Sequence, residues 1–164
     1  MKNFLLILIL SQNIFSQALA QETKIILIRH AEKESDGTKD PNLNEVGKAR
    51  AERLASTLEN MKIDALYSTP YKRTKGTIMP LSLQKDLKIM DYNPSDLSSF
   101  VEEILDKEKG KSIVICGHSN TTPALANLLL NNETFEGFKE DEYNNLIIIV
   151  IPDKGKPILI PLAY

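Results

Sequence analysis

The sequence predicts an α/β fold: a three-layer sandwich whose mostly parallel central sheet is flanked by helices and finished by a C-terminal hairpin. Three observations carry this expectation. Short, unbroken apolar runs recur along the chain, stretches of helical periodicity separate them, and only a turn separates the last two runs. Strands without polar alternation are buried on both faces, as in a parallel sheet covered by helices, and right-handed crossovers then link them.

The elements follow in order. Residues 24–29 (KIILIR) form the first strand, and a polar stretch continues to residue 42. Asn44 can cap a helix reaching about residue 60, with Gly47, Ala51, Leu54, Ala55 and Leu58 on one face. Residues 63–68 read as a second strand. Pro70 suits the first turn of the next helix, and Pro80 is expected to end or kink it. Residues 86–91 are a short strand. Ser95 or Asp96 then caps a helix in which Leu97, Phe100, Val101, Ile104 and Leu105 share a face, with Gly110 beyond its end. Residues 112–117 (SIVICG) are a strand and 120–130 a helix; 146–151 and 157–162 pair across Asp153-Lys154-Gly155.

The first residues stand apart from this pattern. Lys2, the apolar run from Phe4 to Leu10 and the small-x-small site Ala18-Leu19-Ala20 are the parts of a secretory signal peptide, residues 1–20, with cleavage before Gln21. The apolar run is well short of the roughly 18 residues that span a bilayer. The expectation is an exported protein, periplasmic or secreted, made of one domain over residues 21–164, with no membrane partner after cleavage. Its only cysteine, Cys116, lies inside an apolar strand and reads as a buried, inert thiol. With 20 Lys and Arg against 22 Asp and Glu, no basic surplus or basic face points to nucleic acid.

The chain has 2 histidines, and each stands just past the carboxyl end of an apolar strand: His30 after KIILIR and His118 after SIVICG. Ligands of open α/β sheets bind beyond those strand ends, so a shared site is expected. Neutral imidazole is a nucleophile that can attack phosphorus, and guanidinium forks bind phosphoryl oxygens bidentately. Arg29 adjoins His30, and Arg73 follows the second strand at the same rim. The helix opening near Asn120 directs backbone N–H groups toward anything held by His118. This chemistry requires no metal ion or other cofactor.

Arg29-His30-Ala31-Glu32, Leu43-Asn44-Glu45-Val46-Gly47, Ser68-Thr69-Pro70-Tyr71-Lys72-Arg73-Thr74 and Gly117-His118-Ser119-Asn120, in this order, resemble the histidine phosphatase superfamily, also called phosphoglycerate mutase-like. The resemblance implies that His30 is the phosphorylated nucleophile and that Arg29, Arg73 and His118 complete the phosphate pocket; Asn120, where the helix after His118 opens, is a candidate for a further substrate contact. Residues 141–146 (DEYNNL) are similar to a segment of small exported members, without an assigned role.

Many members carry an acid between the second arginine and the second histidine. That interval is short here, and Asp91 is the positional candidate; Glu32 is expected to orient its loop or cap a helix, and Asp141 and Glu142 rank lower. A general acid contributes about 10²–10⁴-fold, so a site without one favours good leaving groups such as aryl phosphates or phosphoramidates. The expected partner is a small phosphorylated substrate or a phosphoprotein. A mutase reaction is not expected, because the chain lacks the length for a lid that would exclude water. The alternative is a phospho-ligand-binding module that keeps the pocket without turnover. A zinc deaminase is excluded, since its second half needs two cysteines, and a zinc hydrolase lacks an evident third ligand. Lys33, Lys39 and Lys72 are candidates to extend the positive pocket.

Overall fold

The structure, a computed structural model, describes residues 22–164. The expected signal peptide lies outside the described residues. Strands β1 (Thr23–Arg29), β2 (Ala65–Ser68), β3 (Ile89–Asp91), β4 (Ser112–Gly117), β5 (Asn145–Ile151) and β6 (Ile158–Ala163) form one sheet in the order β3-β2-β4-β1-β5-β6. Pairs β3–β2, β2–β4 and β4–β1 are parallel, whereas β5 runs antiparallel to β1 and β6 to β5. The sheet is thus mixed, with the expected hairpin at its C-terminal side. Among the described residues no helix is long and apolar enough to cross a membrane.

Helices α1 (Glu45–Thr57) and α2 (Lys72–Lys85) cover one face, and α3 (Leu97–Lys107) and α4 (Thr121–Leu130) the other. Handedness explains this division. The chain moves outward from β1 to β2 to β3 and then reverses to place β4 between β2 and β1. Right-handed crossovers in opposite directions must use opposite faces. The gap between the carboxyl ends of β1 and β4 is therefore the topological switch point, where open α/β sheets bind ligands.

The middle strands are apolar on both sides because both sides are covered. Ile25, Ile26, Leu27 and Ile28 are all buried. Ile25 and Leu27 join Ile113, Ile115, Phe100, Ile104 and Leu125 beneath α3 and α4. Ile26 and Ile28 join Val114, Cys116, Leu54, Leu58, Ile78 and Leu81 beneath α1 and α2. Cys116 is fully buried, and that burial pushes its thiol pKa up.

Caps set the helix starts. Asn44 accepts from the Gly47 amide at 2.9 Å, and Asp96 from the Ser99 amide at 3.2 Å. Two sequence expectations need correction. Pro80 neither ends nor marks the limit of α2, which continues to Lys85, because Thr77 and Ile78 before it and Leu81 after it are buried and hold the helix down. Leu105 is exposed, at the margin of the face formed by Phe100, Val101 and Ile104. β6 is an edge strand on which Ile158, Ile160 and Leu162 are exposed and Pro161 stands opposite Ile147.

Gly47 lets α1 approach the loop after β1: a Cβ there would lie 2.1 Å from the Glu32 carbonyl oxygen. That neighbour is backbone and cannot swing aside. Gly47→Ala is expected to cost about 1–3 kcal/mol or more by overpacking, read as a lower urea midpoint with an unchanged slope.

Candidate active site

Register brings the two histidines together. Arg29 pairs with Gly117 across β1 and β4, and the His30 amide donates to the Gly117 carbonyl at 2.9 Å. The imidazole centroids are 5.4 Å apart. A cleft of about 450 Å³ at this point is lined by His30, Arg29, Arg73 and His118, together with Asn120 and Glu140. The residues that the sequence singled out for phosphate chemistry thus share one cavity, although β1, α2 and the loop after β4 supply them separately.

The hydrogen bonds determine which nitrogen of each ring carries the proton. His30 Nδ1 lies 2.8 Å from the Ala31 carbonyl. A carbonyl only accepts, so Nδ1 donates and Nε2 keeps its lone pair in the neutral ring. For His118 the constraint runs through two threonines. Thr74 Oγ1 gives its one proton to the carbonyls of Thr69 and Tyr71, which share it, so it accepts from Thr69 Oγ1 at 2.9 Å. Thr69 Oγ1 in turn accepts from His118 Nε2 at 2.9 Å.

Burial lowers the His30 pKa to about 4, aided by the positive surroundings of Arg73 and Arg29 and opposed by the Ala31 hydrogen bond. Burial and the same arginines lower His118 to about 4. Both rings are neutral at pH 7, and a neutral ring is the nucleophilic form.

Arg29 is 2% exposed, a cation almost wholly inside the protein. Its Nη1 donates to the carbonyls of Lys139 and Glu142, and its guanidinium lies 4.3 Å from the centre of the Tyr143 ring. Arg73, in the first turn of α2, stacks on Tyr71 at 4.6 Å and has Asp40 at 3.7 Å. Each arginine is therefore backed by a tyrosine, a favourable cation–π arrangement. Each also keeps a buried Nε–H without an acceptor among the described residues. Buried donors are nearly always paired, so two unpaired ones on cleft-lining residues make this a place suited to an oxyanion.

The remaining candidates separate clearly. Asn120 lines the cleft at the start of α4, its side chain making no capping bond. Asp91 does not line it: it ends the edge strand β3 and is held by Lys75 at 2.7 Å. Glu32 grips Arg50 through both carboxylate oxygens and so anchors the loop after His30. Lys33 lines the cleft, Lys72 lines a separate groove between α1 and α2, and Lys39 is exposed. Asp141 is exposed, and Glu142 accepts from the Lys139 amide within its own loop. Sequence reasoning missed Glu140 and the roles of Tyr71 and Tyr143; the DEYNNL segment was a signal for Tyr143 without a stated function. Among the described residues no group of three or more His, Cys, Asp or Glu is placed to hold a metal ion.

Residues 25–92, which include Arg29, His30 and Arg73, match the model of the histidine phosphatase superfamily (branch 1). That match covers less than half of the chain, and with the fold it marks a likeness to the histidine phosphatase superfamily. By sequence it is similar to phosphoserine phosphatase 1 of Hydrogenobacter thermophilus, 40% identical over 73 residues that make up 41% of this chain and 35% of that protein. The aligned part is thus only about a third of that relative's length. Among solved structures, the protein histidine phosphatase SixA complexed with tungstate gives a TM-score of 0.70 at 14% identity, covering 85% of this chain and 96% of that one. Phosphoserine phosphatase of Entamoeba histolytica, in complex with 3-phosphoglyceric acid, gives 0.65 at 19% identity, covering 87% and 97%. At these identities the likeness is one of fold.

Both histidines titrate lower in the folded chain, about 4, than the ordinary 6.5. Between those values the unfolded chain binds more protons, so their contribution to stability is present above about pH 6.5 and is lost as pH falls through about 4. Thermal unfolding between pH 7 and 4 should show this decline, and His118→Gln should flatten it. Imidazole resonances of the native protein should begin to move only near pH 4 to 5.

Proposed function

We propose that the chain is a metal-independent phosphatase that hydrolyses phosphate monoesters or phosphoramidates through a phosphohistidine on His30. One observation carries this: a neutral His30 whose Nδ1 is tied to the Ala31 carbonyl, leaving Nε2 its lone pair in a cleft shared with two arginines and a second imidazole. In this mechanism Nε2 attacks phosphorus in line. Arg29 and Arg73 hold the equatorial oxygens and stabilise their charge in the transition state; His118, whose Nε2–H is given to Thr69 in the free chain, joins them when the phosphoryl charge draws a second proton onto its ring, with Asn120 as a further contact. Water then cleaves the phosphorus–nitrogen bond and releases phosphate.

The named activities of the relatives, on phosphoserine and on phosphohistidine in proteins, support a small phosphorylated substrate or a phosphoprotein. Hydrolysis is proposed over a mutase reaction because the cleft borders solvent through the exposed residues Asn120 and Glu140. A phospho-ligand-binding module is the second reading, favoured by the position of Asp91 outside the cleft. Export to the periplasm or the medium is also proposed, on residues 1–20 alone.

The deciding experiment is p-nitrophenyl phosphate hydrolysis in chelator, with rapid quenching to trap an acid-labile phosphohistidine. His30→Ala should lose roughly 10³-fold or more in kcat/KM and all trapped phosphate. Turnover by the wild type without a trapped intermediate contradicts the mechanism, and folded but inactive wild type leaves the binding module. For export, the intact mass of protein recovered outside the cytoplasm should correspond to a chain beginning at Gln21; full-length chain retained inside contradicts it.

A further inference from the structure

We propose that Glu140 is the proton donor of this site, protonating the leaving oxygen and later taking the proton of the attacking water. The assignment rests on the phosphohistidine reading above. Glu140 lies in the loop between α4 and β5, outside the interval between Arg73 and His118, yet it lines the cleft with His30, Arg29, Arg73 and His118. Among the described residues it is the only carboxylic acid that does so.

The placement is built rather than incidental. Glu140 Oε2 lies 3.6 Å from Nη2 of Arg29. The neighbouring carbonyls of Lys139 and Glu142 accept from Nη1 of the same guanidinium, and Tyr143 covers its face. The backbone on both sides of Glu140 is thus fastened to Arg29, while the Glu140 side chain itself is 90% exposed. A carboxyl group so mounted stays beside any phosphoryl group held by Arg29 and can still turn toward the ester oxygen.

Nearby carboxylates are committed elsewhere. Glu32 is bound to Arg50, and Asp91 to Lys75. Asp40 accepts from the Lys72 amide and faces Arg73, and Glu142 accepts from the Lys139 amide.

The steps balance. The His30 Nε2 lone pair forms the N–P bond as the P–O bond breaks, and the Glu140 proton passes to the leaving oxygen to give the free alcohol. A water oxygen then attacks phosphorus, the N–P electrons return to Nε2, and the water's proton passes to the Glu140 carboxylate. Inorganic phosphate leaves, and both residues are restored.

Leaving groups provide the test. kcat/KM of wild type and Glu140→Gln is measured on glycerol 2-phosphate, whose alkoxide leaves poorly, and on p-nitrophenyl phosphate, whose phenolate leaves readily. The variant should lose about 10²-fold on the alkyl ester and less than about 5-fold on the aryl ester, with an unchanged melting temperature. Equal losses on both would mean that Glu140 only positions Arg29; no loss, or a gain from removing a competitor for Arg29, would likewise overturn the assignment. Wild-type turnover in any of these cases leaves the phosphatase reading standing. Absence of wild-type turnover on both esters overturns the two together.

Discussion

The parallel pairing of β1 with β4 is the constraint on which the site depends. Arg29 stands opposite Gly117, and the chain continues from each strand end into a histidine, with the His30 amide held by the Gly117 carbonyl. A slip of one residue would turn every side chain of the shifted strand to the opposite face. It would bury the side that now faces α1 and α2 under α3 and α4. The two apolar layers therefore do more than stabilise the domain: Ile25 and Leu27 on one side, and Ile26 and Ile28 on the other, hold the histidines at equal height.

Electrostatics at the strand ends differ sharply from those of the chain as a whole. The protein carries a net charge of −2, yet the cleft gathers Arg29, Arg73 and Lys33 around two neutral imidazoles. Burying Arg29 requires compensation, because an unpaired interior charge is costly. The chain meets that need with backbone carbonyls, an aromatic face and an exposed carboxylate rather than one buried ion pair. Backbone carbonyls and ring faces hold a guanidinium without cancelling its charge, which leaves it able to attract an anion.

Much of this was legible in the sequence, for identifiable reasons. Central strands such as KIILIR and SIVICG announce themselves because burial on both faces removes all polar alternation, and Asn44 and Asp96 mark helix starts by local chemistry. The grouping of His30, His118, Arg29 and Arg73 was legible because strand ends converge in such folds. Pro80 misled because its local penalty is outweighed by the buried residues around it. Asp91 misled because strand-end position does not reveal whether a lysine such as Lys75 holds the carboxylate. Glu140 escaped notice because its placement depends on the contact between its loop and Arg29, more than a hundred residues away in sequence.

The far edge of the sheet raises a different matter, the behaviour of the protein when crowded. β6 presents Ile158, Ile160 and Leu162 to solvent along a strand that has a neighbour on one side only. An exposed, apolar edge invites a second chain to add itself as another strand. Pro161, in the middle of that stretch, has no amide hydrogen, and prolines are tolerated on edges where the missing donor faces outward. The row of apolar side chains is thus paired with an interrupted hydrogen-bonding ladder. In that arrangement a single imino acid guards against the sheet growing from molecule to molecule into a fibre.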